Sequence, residues 1–305
     1  MSILIVGSVH MDYTIYMDHL PREGETVIGT DFKRSPGGKG ANQAVAVARL
    51  SGKSHFASRV GADENGEILL NNLRRNNVST EFVTVDKRIY TGIALIFTDA
   101  KGRNMIAVAS GTDAKVSCRD VDKAFRGLGS VSCLLTQLEI PMKTVTYAIR
   151  KAKKSGALTI LNPAPYRLLP EDIFQYIDFI TPNRVELAAL AKVDTVKSLT
   201  DIEKASRKLI KKGVGAVIVT LGEEGAYIVS TSITKKIPSF KIKVVDTVGA
   251  GDAFSGGLAY ALVNGMDLKD AVRFANAAAA VSCTKYGAQA SMPKLSEVRR
   301  LLKKG

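Results

Sequence analysis

The 305-residue sequence predicts an α/β fold, in which a mainly parallel sheet is covered by helices on both faces. The first observation is that short apolar runs, typical of buried strands, alternate with segments whose apolar residues recur at helical spacing. The second is composition, since 46% of the residues are hydrophobic and 24% are charged, as in globular proteins with a substantial core. No linker interrupts the chain, so we expect one domain over residues 1–305.

The predicted strands and helices follow one another along the chain. Each predicted strand is a short apolar run, and each predicted helix repeats apolar residues three and four positions apart, as Val145, Ala148 and Ile149 do. Glycines such as Gly156 mark helix ends. The pattern predicts strands at residues 3–6, 133–137, 158–161, 177–181 and 216–220, and helices at residues 67–75, 144–154, 201–212, 268–281 and 297–303.

Two stretches interrupt this alternation. Residues 13–17 and 25–30 resemble strands with no helix between them, and residues 91–98 and 104–109 flank an Asp-Ala-Lys-Gly turn that is typical of a hairpin. We expect these segments to form a small β layer that folds over the mouth of the main sheet as a lid. Two immobile edge hairpins are the alternative. The lid segments span about residues 10–38 and 88–110.

The most informative motif is Asp-Thr-Val-Gly-Ala-Gly-Asp at residues 246–252, between a predicted strand at 241–245 and a predicted helix at 253–263. A glycine turn that opens a helix exposes backbone N–H groups at the positive end of the helix dipole, where phosphate can bind. The carboxylate of Asp252 is explained if it takes a proton from a hydroxyl that attacks phosphorus. The alternative is an ordinary turn in which Asp252 stabilises the helix dipole.

A second glycine turn, Pro-Gly-Gly-Lys-Gly-Ala-Asn at residues 36–42, precedes a predicted helix at residues 43–50. Its glycines let the backbone approach a ligand closely, and the side-chain amide of Asn42 can donate to and accept from a polyol. Gly52-Lys53-Ser54 ends like a P-loop, but Val47 stands where its first glycine belongs, and neither glycine turn fits the dinucleotide-binding pattern. The usual phosphate-binding motifs are therefore excluded.

Together the two turns resemble the N-terminal and C-terminal signatures of the ribokinase-like carbohydrate kinases, the PfkB family. The similarity also covers residues 7–12, Thr-Pro-Asn-Arg-Val-Glu at 181–186 and Thr-Leu-Gly at 220–222. It implies a Rossmann-like fold and phosphoryl transfer from ATP with Mg²⁺ to a sugar hydroxyl. D-ribose, phosphorylated at its 5-hydroxyl, is the expected acceptor. A nucleoside, another pentose or a pentose phosphate stays open, because His10 stands where these kinases usually have Asn.

The resemblance also implies roles for individual residues. Asp252 would be the base, and the backbone N–H groups of Gly249, Ala250 and Gly251 would stabilise the transferring group. Glu186 would organise Mg²⁺ through water, and a monovalent cation such as K⁺ would lie beside the turn. The expected acceptor ligands are His10, Asp12, Gly38, Lys39, Asn42, Glu139 and Asp252; the expected nucleotide ligands are Asn183, Glu186, Thr220, Gly222, Gly225, Gly251 and Asn276; the expected K⁺ ligands are Asp246, Val248, Ser282, Lys285, Gly287 and Ser291.

Several of these residues have simpler interpretations when the family is set aside. Asp12 would be a turn residue, and Glu139 a charge on a loop. Asn183 and Glu186, three residues apart, would form an ordinary helix cap. Asn276 would belong to an alanine-rich packing face.

Net charge and cysteine usage limit the partners and the compartment. The formal net charge is +14, but the lysines are spread over the chain and Trp is absent, so we expect an anionic substrate rather than nucleic acid. Cys118, Cys133 and Cys283 are isolated, which favours a reducing cytoplasm and offers no zinc motif. We expect neither a signal peptide nor a membrane span.

Two further expectations concern the whole protein. The resemblance implies a homodimer formed through the β lid. A sensing protein that has lost catalysis is the competing functional class. The joint presence of Asp252, Asn183, Glu186 and both glycine turns argues against it.

Overall fold

The computed structural model describes residues 2–304, whose strands form two sheets. The strands are β1 (Ser2–Val6), β2 (His10–Met17), β3 (Asp31–Gly37), β4 (Lys53–Gly61), β5 (Ser79–Asp86), β6 (Gly92–Asp99), β7 (Asn104–Ala109), β8 (Cys133–Thr136), β9 (Leu158–Leu161), β10 (Phe179–Ile180), β11 (Ala216–Thr220), β12 (Ala226–Ser230) and β13 (Thr234–Ile237). The helices are α1 (Lys39–Arg49), α2 (Glu64–Arg75), α3 (Cys118–Leu128), α4 (Met142–Lys154), α5 (Arg184–Ala191), α6 (Leu199–Lys211), α7 (Ala250–Val263), α8 (Leu268–Ser282), α9 (Ala288–Ser291) and α10 (Leu295–Leu302).

The main sheet has nine strands in the order β13-β12-β11-β10-β9-β8-β1-β4-β5. Neighbours from β11 to β5 are parallel, whereas β12 and β13 are added antiparallel at one edge. Successive residues of a strand point to opposite faces, so Leu4 and Ile5 of β1 enter two different hydrophobic cores. The predicted parallel sheet with helices on both faces is therefore confirmed.

The small sheet has four strands in the order β3-β2-β6-β7. The strand β2 pairs antiparallel with β3 and parallel with β6, and β6 and β7 form the predicted antiparallel hairpin. His10 lies opposite Gly37 on one side and Gly92 on the other. Because β3 ends at Gly37 and α1 begins at Lys39, the small sheet is joined directly to the N-terminal glycine turn.

Two of the predicted strands are wrong. Residues 25–30 are irregular, and the strand is β3 at Asp31–Gly37, whose exposed and mostly polar residues lack an amphipathic pattern. Residues 241–245 also form no strand, and the backbone of Val245 bonds to the end of a helix instead of a sheet edge. The Val245 N–H donates to Cys283 O at 2.8 Å, and Val244 remains 57% exposed.

Some elements carry no clear signal in the sequence. The patterns do not predict β4, β5, β12, β13 or α3, and the strand expected at residues 177–181 shortens to β10. Within β4, the buried hydroxyls of Ser54 and Ser58 donate to the carbonyl oxygens of Ala44 and Gly7, so a polar sequence is accommodated in the core. Among residues 2–304, no helix combines the length and apolar character needed to cross a bilayer.

Candidate active site

Asp252 lies in the first turn of α7 and is buried, with 6% of its surface exposed. Its Oδ2 accepts a hydrogen bond from Asn42 Nδ2 at 2.9 Å, and its Oδ1 accepts one from Gln43 Nε2 at 2.9 Å. Asn42 and Gln43 belong to α1, which the N-terminal glycine turn opens. The two glycine turns, about 210 residues apart, therefore meet at one carboxylate.

The positively charged side chain of Lys39 acts on Asp252. Burial raises the pKa of the Asp252 carboxyl, while the charge of Lys39 and the two amide donors lower it. Asp252 is in turn the largest cause of the raised pKa of Lys39, ahead of Glu139 and Glu186. A buried carboxylate with a raised pKa is a stronger base than one in water, and the neighbouring ammonium favours its ionised form.

A buried group of amides, which the sequence analysis missed, supports Asp252 from behind. Gln43 Nε2 also donates to Asn162 Oδ1 at 3.2 Å, and Gln43 Oε1 accepts from Gln137 Nε2. Asn162 Nδ2 donates to Thr181 O at 3.1 Å. The sequence signal for these amides is their position, because Gln137 and Asn162 directly follow the apolar strands β8 and β9.

The expected acceptor residues His10 and Asp12 both lie on β2. His10 is buried, with Nδ1 at 3.0 Å from Asp113 Oδ2 and Nε2 at 3.5 Å from Asp12 Oδ1. Asp12 is inside a strand, so its interpretation as a turn residue is wrong. Asp113 is a buried carboxylate that no sequence motif indicates.

Glu139 ties the start of α1 to the loop after β1. Its Oε2 accepts hydrogen bonds from the hydroxyl of Ser8 and, at 2.9 Å, from the backbone N–H of Lys39. These two contacts fix the carboxylate beside the N-terminal glycine turn. Glu139 is therefore not a free loop charge.

Among the buried oxygens without a hydrogen-bond partner in the described part of the chain are Asp12 Oδ1 and Asn42 Oδ1. Burial raises the pKa of Asp12 to about 6, while His10 and Lys39 lower it. Buried acceptors without donors are costly in a folded protein, and the hydroxyl groups of a bound ligand would supply those donors. The arrangement therefore suits a polyol.

Gly37 and Gly38 allow this close packing. A Cβ on Gly37 would lie 2.2 Å from Asp12 Oδ2, so only glycine leaves room for that carboxylate. Gly38 has a φ of +90°, and a Cβ there would lie 2.8 Å from Ser8 O. Both positions of the turn thus exclude side chains for identifiable steric reasons.

A cavity of about 1030 Å³ borders the start of α7, a volume sufficient for a nucleotide. Its wall combines apolar residues such as Ile242, Val244 and Phe254 with the small Ala279 and Ala280 of α8. A Cβ on Gly251 would meet nothing within 4 Å, so the backbone there is open to a ligand. The expected nucleotide ligands that line this cavity are Thr220, Gly222, Gly225, Gly251 and Asn276.

Asn183 and Glu186 form the helix cap that was the simpler interpretation. Asn183 Oδ1 accepts from the Glu186 N–H at 2.8 Å, and Glu186 Oε2 accepts from the Asn183 N–H at 2.9 Å. They nevertheless lie near the site, because Asn183 forms a β-bridge with Thr220. The pKa of Glu186 is raised by burial, and the charges of Lys39 and Asp252 also act on it.

The side-chain amide of Asn276 donates hydrogen bonds to the protein backbone. Its Nδ2 donates to Ile237 O at 3.0 Å and to Pro238 O at 3.1 Å. It therefore holds the segment after β13 against α8, and Pro238 lines the nucleotide-sized cavity. The alanine-rich face of α8 and the cavity wall are the same surface, so the packing interpretation and the ligand interpretation both apply.

The residues expected to bind K⁺ are only partly brought together. Asp246 Oδ1 accepts from the Val248 N–H at 3.0 Å, and Asp246 Oδ2 accepts from the Gly287 N–H at 2.8 Å. The hydroxyls of Ser282 and Ser291 each bond within their own helix, to Ala279 O and Ala288 O. The Lys285 ammonium pairs with Glu297, 2.7 Å away, so only its backbone remains to serve an ion.

Comparison with known proteins adds an independent observation. The chain matches the model of the pfkB family carbohydrate kinases over residues 1–295. It is 35% identical over 301 residues to the ribokinase of Haemophilus influenzae, covering 99% of this chain and 98% of that protein. It is 36% identical over 303 residues to the deoxyribokinase of Salmonella typhi, with 99% of each chain covered.

The structural comparison agrees. The structure of Arabidopsis thaliana ribokinase complexed with ribose and ATP has a TM-score of 0.91 and 31% sequence identity, covering 99% of this chain and 98% of that one. The family model, the full-length relatives and the shared architecture concur. The chain therefore belongs to the pfkB family of carbohydrate kinases, phosphotransferases whose acceptor is an alcohol group.

Proposed function

We propose that this protein transfers the γ-phosphoryl group of ATP to the 5-hydroxyl of D-ribose, giving ribose 5-phosphate and ADP. The observation that carries the proposal is the Asp252 carboxylate, buried at the start of α7 and held by Asn42 and Gln43. It follows Gly251, which lines the nucleotide-sized cavity, and it contacts the helix that carries the expected acceptor ligands.

Ribose is favoured by the chemistry of the acceptor residues and by the relatives. Asp12 and Asn42 each have a buried oxygen that finds no hydrogen-bond partner within the described residues, and such oxygens suit a small molecule rich in hydroxyl groups. Lys39 and Glu139 add one positive and one negative side chain to this polar surface, and Glu139 Oε2 accepts from the Lys39 N–H. Similar proteins include ribokinases, one of them solved with ribose and ATP.

The identity of the acceptor needs a direct comparison. A nucleoside or another pentose is the alternative, and a similar protein is a deoxyribokinase. ADP release should be measured with ribose, deoxyribose, fructose, adenosine, cytidine and ribose 1-phosphate under one set of conditions. We expect the highest kcat/KM with ribose. Turnover of nucleosides alone would show that the ribose assignment is wrong.

For the donor, we propose that ATP occupies the cavity bounded by Thr220, Gly222, Gly225 and Asn276. Asn183, bridged to Thr220, lies at the same strand ends. Mg²⁺ accompanies the nucleotide, and when bound it offsets phosphate charge; such ions usually keep several waters and few carboxylates. Glu186 can contribute to such a site. In the described contacts only its Oε2 accepts a hydrogen bond from the protein, so its second carboxylate oxygen is available.

The proposed reaction is an in-line transfer. The acceptor hydroxyl gives its proton to Asp252, its oxygen forms a bond to the γ-phosphorus, and the bond from that phosphorus to the β-phosphate oxygen breaks. The described residues supply no acceptor for the amides of Gly249 and Gly251, which are free to stabilise the transferring group. The Ala250 amide already donates to Thr247 O at 3.2 Å. Each such donor contributes on the order of 3 kcal/mol.

We further propose that K⁺ shapes the turn at residues 246–252 through backbone carbonyls around Asp246 and Gly287. The small sheet would close over the acceptor as a lid and exclude water. It would also form the contact of a homodimer. The three cysteines are free thiols, which is compatible with a reaction in the cytoplasm.

The substitution Asp252→Asn tests the assignment of the base. We expect kcat to fall by about two to four orders of magnitude, because the amide cannot accept the proton at neutral pH. Dissociation constants for ribose and ADP, measured by calorimetry, should change only a few-fold. A kcat near that of the wild type would remove Asp252 from the chemistry.

Asp270→Asn is the matched control for this test. Asp270 is also a first-turn carboxylate, on α8, but it is exposed. The same loss of charge at a helix N-terminus should leave kcat within about two-fold, since an exposed dipole interaction is worth under 1 kcal/mol.

A further inference from the structure

Asp113 is a buried acid that the proposed mechanism does not use. It lies in the 3₁₀ turn Gly111–Lys115 after β7, and 1% of its surface is exposed. Its Oδ1 accepts from the Val9 N–H at 2.8 Å, and its Oδ2 lies 3.0 Å from His10 Nδ1. A Cβ on Gly92 would lie 2.9 Å from Asp113 Oδ2, so glycine opposite His10 makes room for this contact.

The other nitrogen of the imidazole faces the acceptor residues. His10 Nε2 lies 3.5 Å from Asp12 Oδ1, a buried oxygen without a hydrogen-bond partner among residues 2–304. A neutral ring with its proton on Nδ1, toward Asp113, would set the Nε2 lone pair against a carboxylate. A ring protonated on both nitrogens presents an N–H donor to Asp12. The carboxylates of Asp12 and Asp113 then lie on either side of a positively charged imidazolium.

The charges around His10 are consistent with the doubly protonated ring. Asp113, Glu139 and Asp12 each raise the pKa of His10, which reaches about 9 although burial lowers it. The nearby cation Lys39 acts on the Asp12 carboxyl. Buried charges are usually paired, and here the pair is His10 with Asp113.

We propose that Asp113 is a positioning residue that keeps His10 doubly protonated. The Nε2–H group of His10 is then a fixed hydrogen-bond donor, and it lies beside Asp12 Oδ1, which accepts hydrogen bonds. His10 and Asp12 together select a sugar substrate with two neighbouring hydroxyl groups. One hydroxyl oxygen accepts a hydrogen bond from His10, and the other hydroxyl donates one to Asp12. This inference rests on the proposed function, in which β2 contacts the sugar. It assigns to Asp113 a role in specificity through His10, without contact to the reacting atoms.

The test compares wild type with Asp113→Asn, using the acceptor that turns over best in the panel described above. In the wild type, KM for the acceptor should be flat between about pH 7 and 8.5, because His10 stays charged. In Asp113→Asn it should rise about ten-fold or more as His10 loses its proton over that range, the loss expected of a charge-assisted hydrogen bond. The KM for ATP and kcat at saturating acceptor should change less than about three-fold.

Two further variants separate positioning from a structural role. In a His10→Asn background, Asp113→Asn should add little to KM, and the pH dependence should be absent. Asp99→Asn removes another buried carboxylate of the small sheet, one that accepts from the Lys101 and Arg103 amides. It should lower stability without introducing a pH-dependent KM.

NMR of the ligand-free wild type tests the ion pair independently of activity. We expect the His10 ring nitrogens to report the doubly protonated form at pH 8. Titration of His10 below pH 7, or an Asp113→Asn variant with an unchanged KM profile, would overturn the inference. If His10 stays doubly protonated at pH 8 but the protein phosphorylates no sugar, the pairing of His10 with Asp113 is supported and the proposed function is contradicted. A failure of the inference can therefore be told from a failure of the proposed function.

Discussion

At the scale of single residues, the environment of one carboxylate decides what the site can do. Asp252 is buried, which raises its pKa, and Gln43 and Asn42 each donate one hydrogen bond to it, which lowers its pKa. Donors favour the charged form of a carboxylate, and burial favours the neutral one. As the proposed base, Asp252 is therefore stronger than an exposed aspartate, because its pKa is raised.

This balance predicts the effect of Gln43→Leu. Loss of the donor to Oδ1 should raise the pKa of Asp252 further, so the acid limb of kcat/KM should move to higher pH. A hydrogen bond to a charged group is worth roughly 1.5–3 kcal/mol, which corresponds to about 1–2 pH units. Well above that limb the rate should approach that of the wild type. A pH profile of kcat/KM checks this, with Ser206→Ala, a buried polar residue of α6, as control.

A second residue-scale prediction concerns Gly37→Ala. The new Cβ would lie 2.2 Å from Asp12 Oδ2, so the carboxylate must move away from the acceptor residues. Overpacking of this kind costs about 1–3 kcal/mol, and we expect the KM for ribose to rise about ten-fold. ADP affinity, measured by calorimetry, should be unchanged because the nucleotide-sized cavity lies elsewhere. An unchanged KM for ribose would contradict the placement of Asp12 in the acceptor site.

At the scale of elements, the start of α7 depends on a scaffold outside the helix. Gly249 precedes the helix with a φ of +79°, a conformation that glycine adopts without cost. Asp246 ties the turn to Gly287, and the N–H groups of Val245 and Asp246 both donate to Cys283 O. The end of α8 therefore fixes the turn that opens α7.

The substitution Asp246→Ala tests this scaffold. It removes the acceptors for two backbone N–H groups, so we expect a loss of roughly 1–3 kcal/mol of stability, a lower kcat and loss of activation by K⁺. Rates should be compared in KCl and in a bulky ammonium chloride at equal ionic strength.

Asp267→Ala is the matched control, since Asp267 also accepts from two backbone N–H groups, at the start of α8. It should lose similar stability and keep its K⁺ response. A K⁺ response retained in Asp246→Ala would show that the ion lies elsewhere.

At the scale of the whole molecule, the small sheet exposes apolar side chains that the protein itself does not cover. Met105, Ile106 and Val108 of β7 are between 52% and 57% exposed, and Phe32 of β3 is 58% exposed. Within residues 2–304, β7 is also an edge strand, so the backbone groups along one of its sides have no neighbouring strand. Exposed apolar surface on an edge strand favours association with another chain, which supports the proposed homodimer.

Ile106→Asp should disrupt that association. A charge placed in an apolar contact is costly to desolvate, so we expect the mass in solution to fall from twice the chain mass toward 32.7 kDa. Light scattering after size exclusion measures this. Leu168→Asp, at an exposed apolar residue outside the small sheet, should leave the mass unchanged. A wild type that is already monomeric would contradict the dimer.

The sequence by itself determined the fold class, the family and the two glycine turns, because strand and helix periodicity and the turn motifs are local properties of neighbouring residues. It did not determine β3 or the irregular segment 241–245, since exposure there depends on what packs nearby. Only the tertiary structure decided that Gln43, Asn162 and Gln137 support Asp252 and that Asp113 pairs with His10. These contacts join residues far apart in the chain, and the order of strands in the sheet, which no local pattern encodes, brings them together.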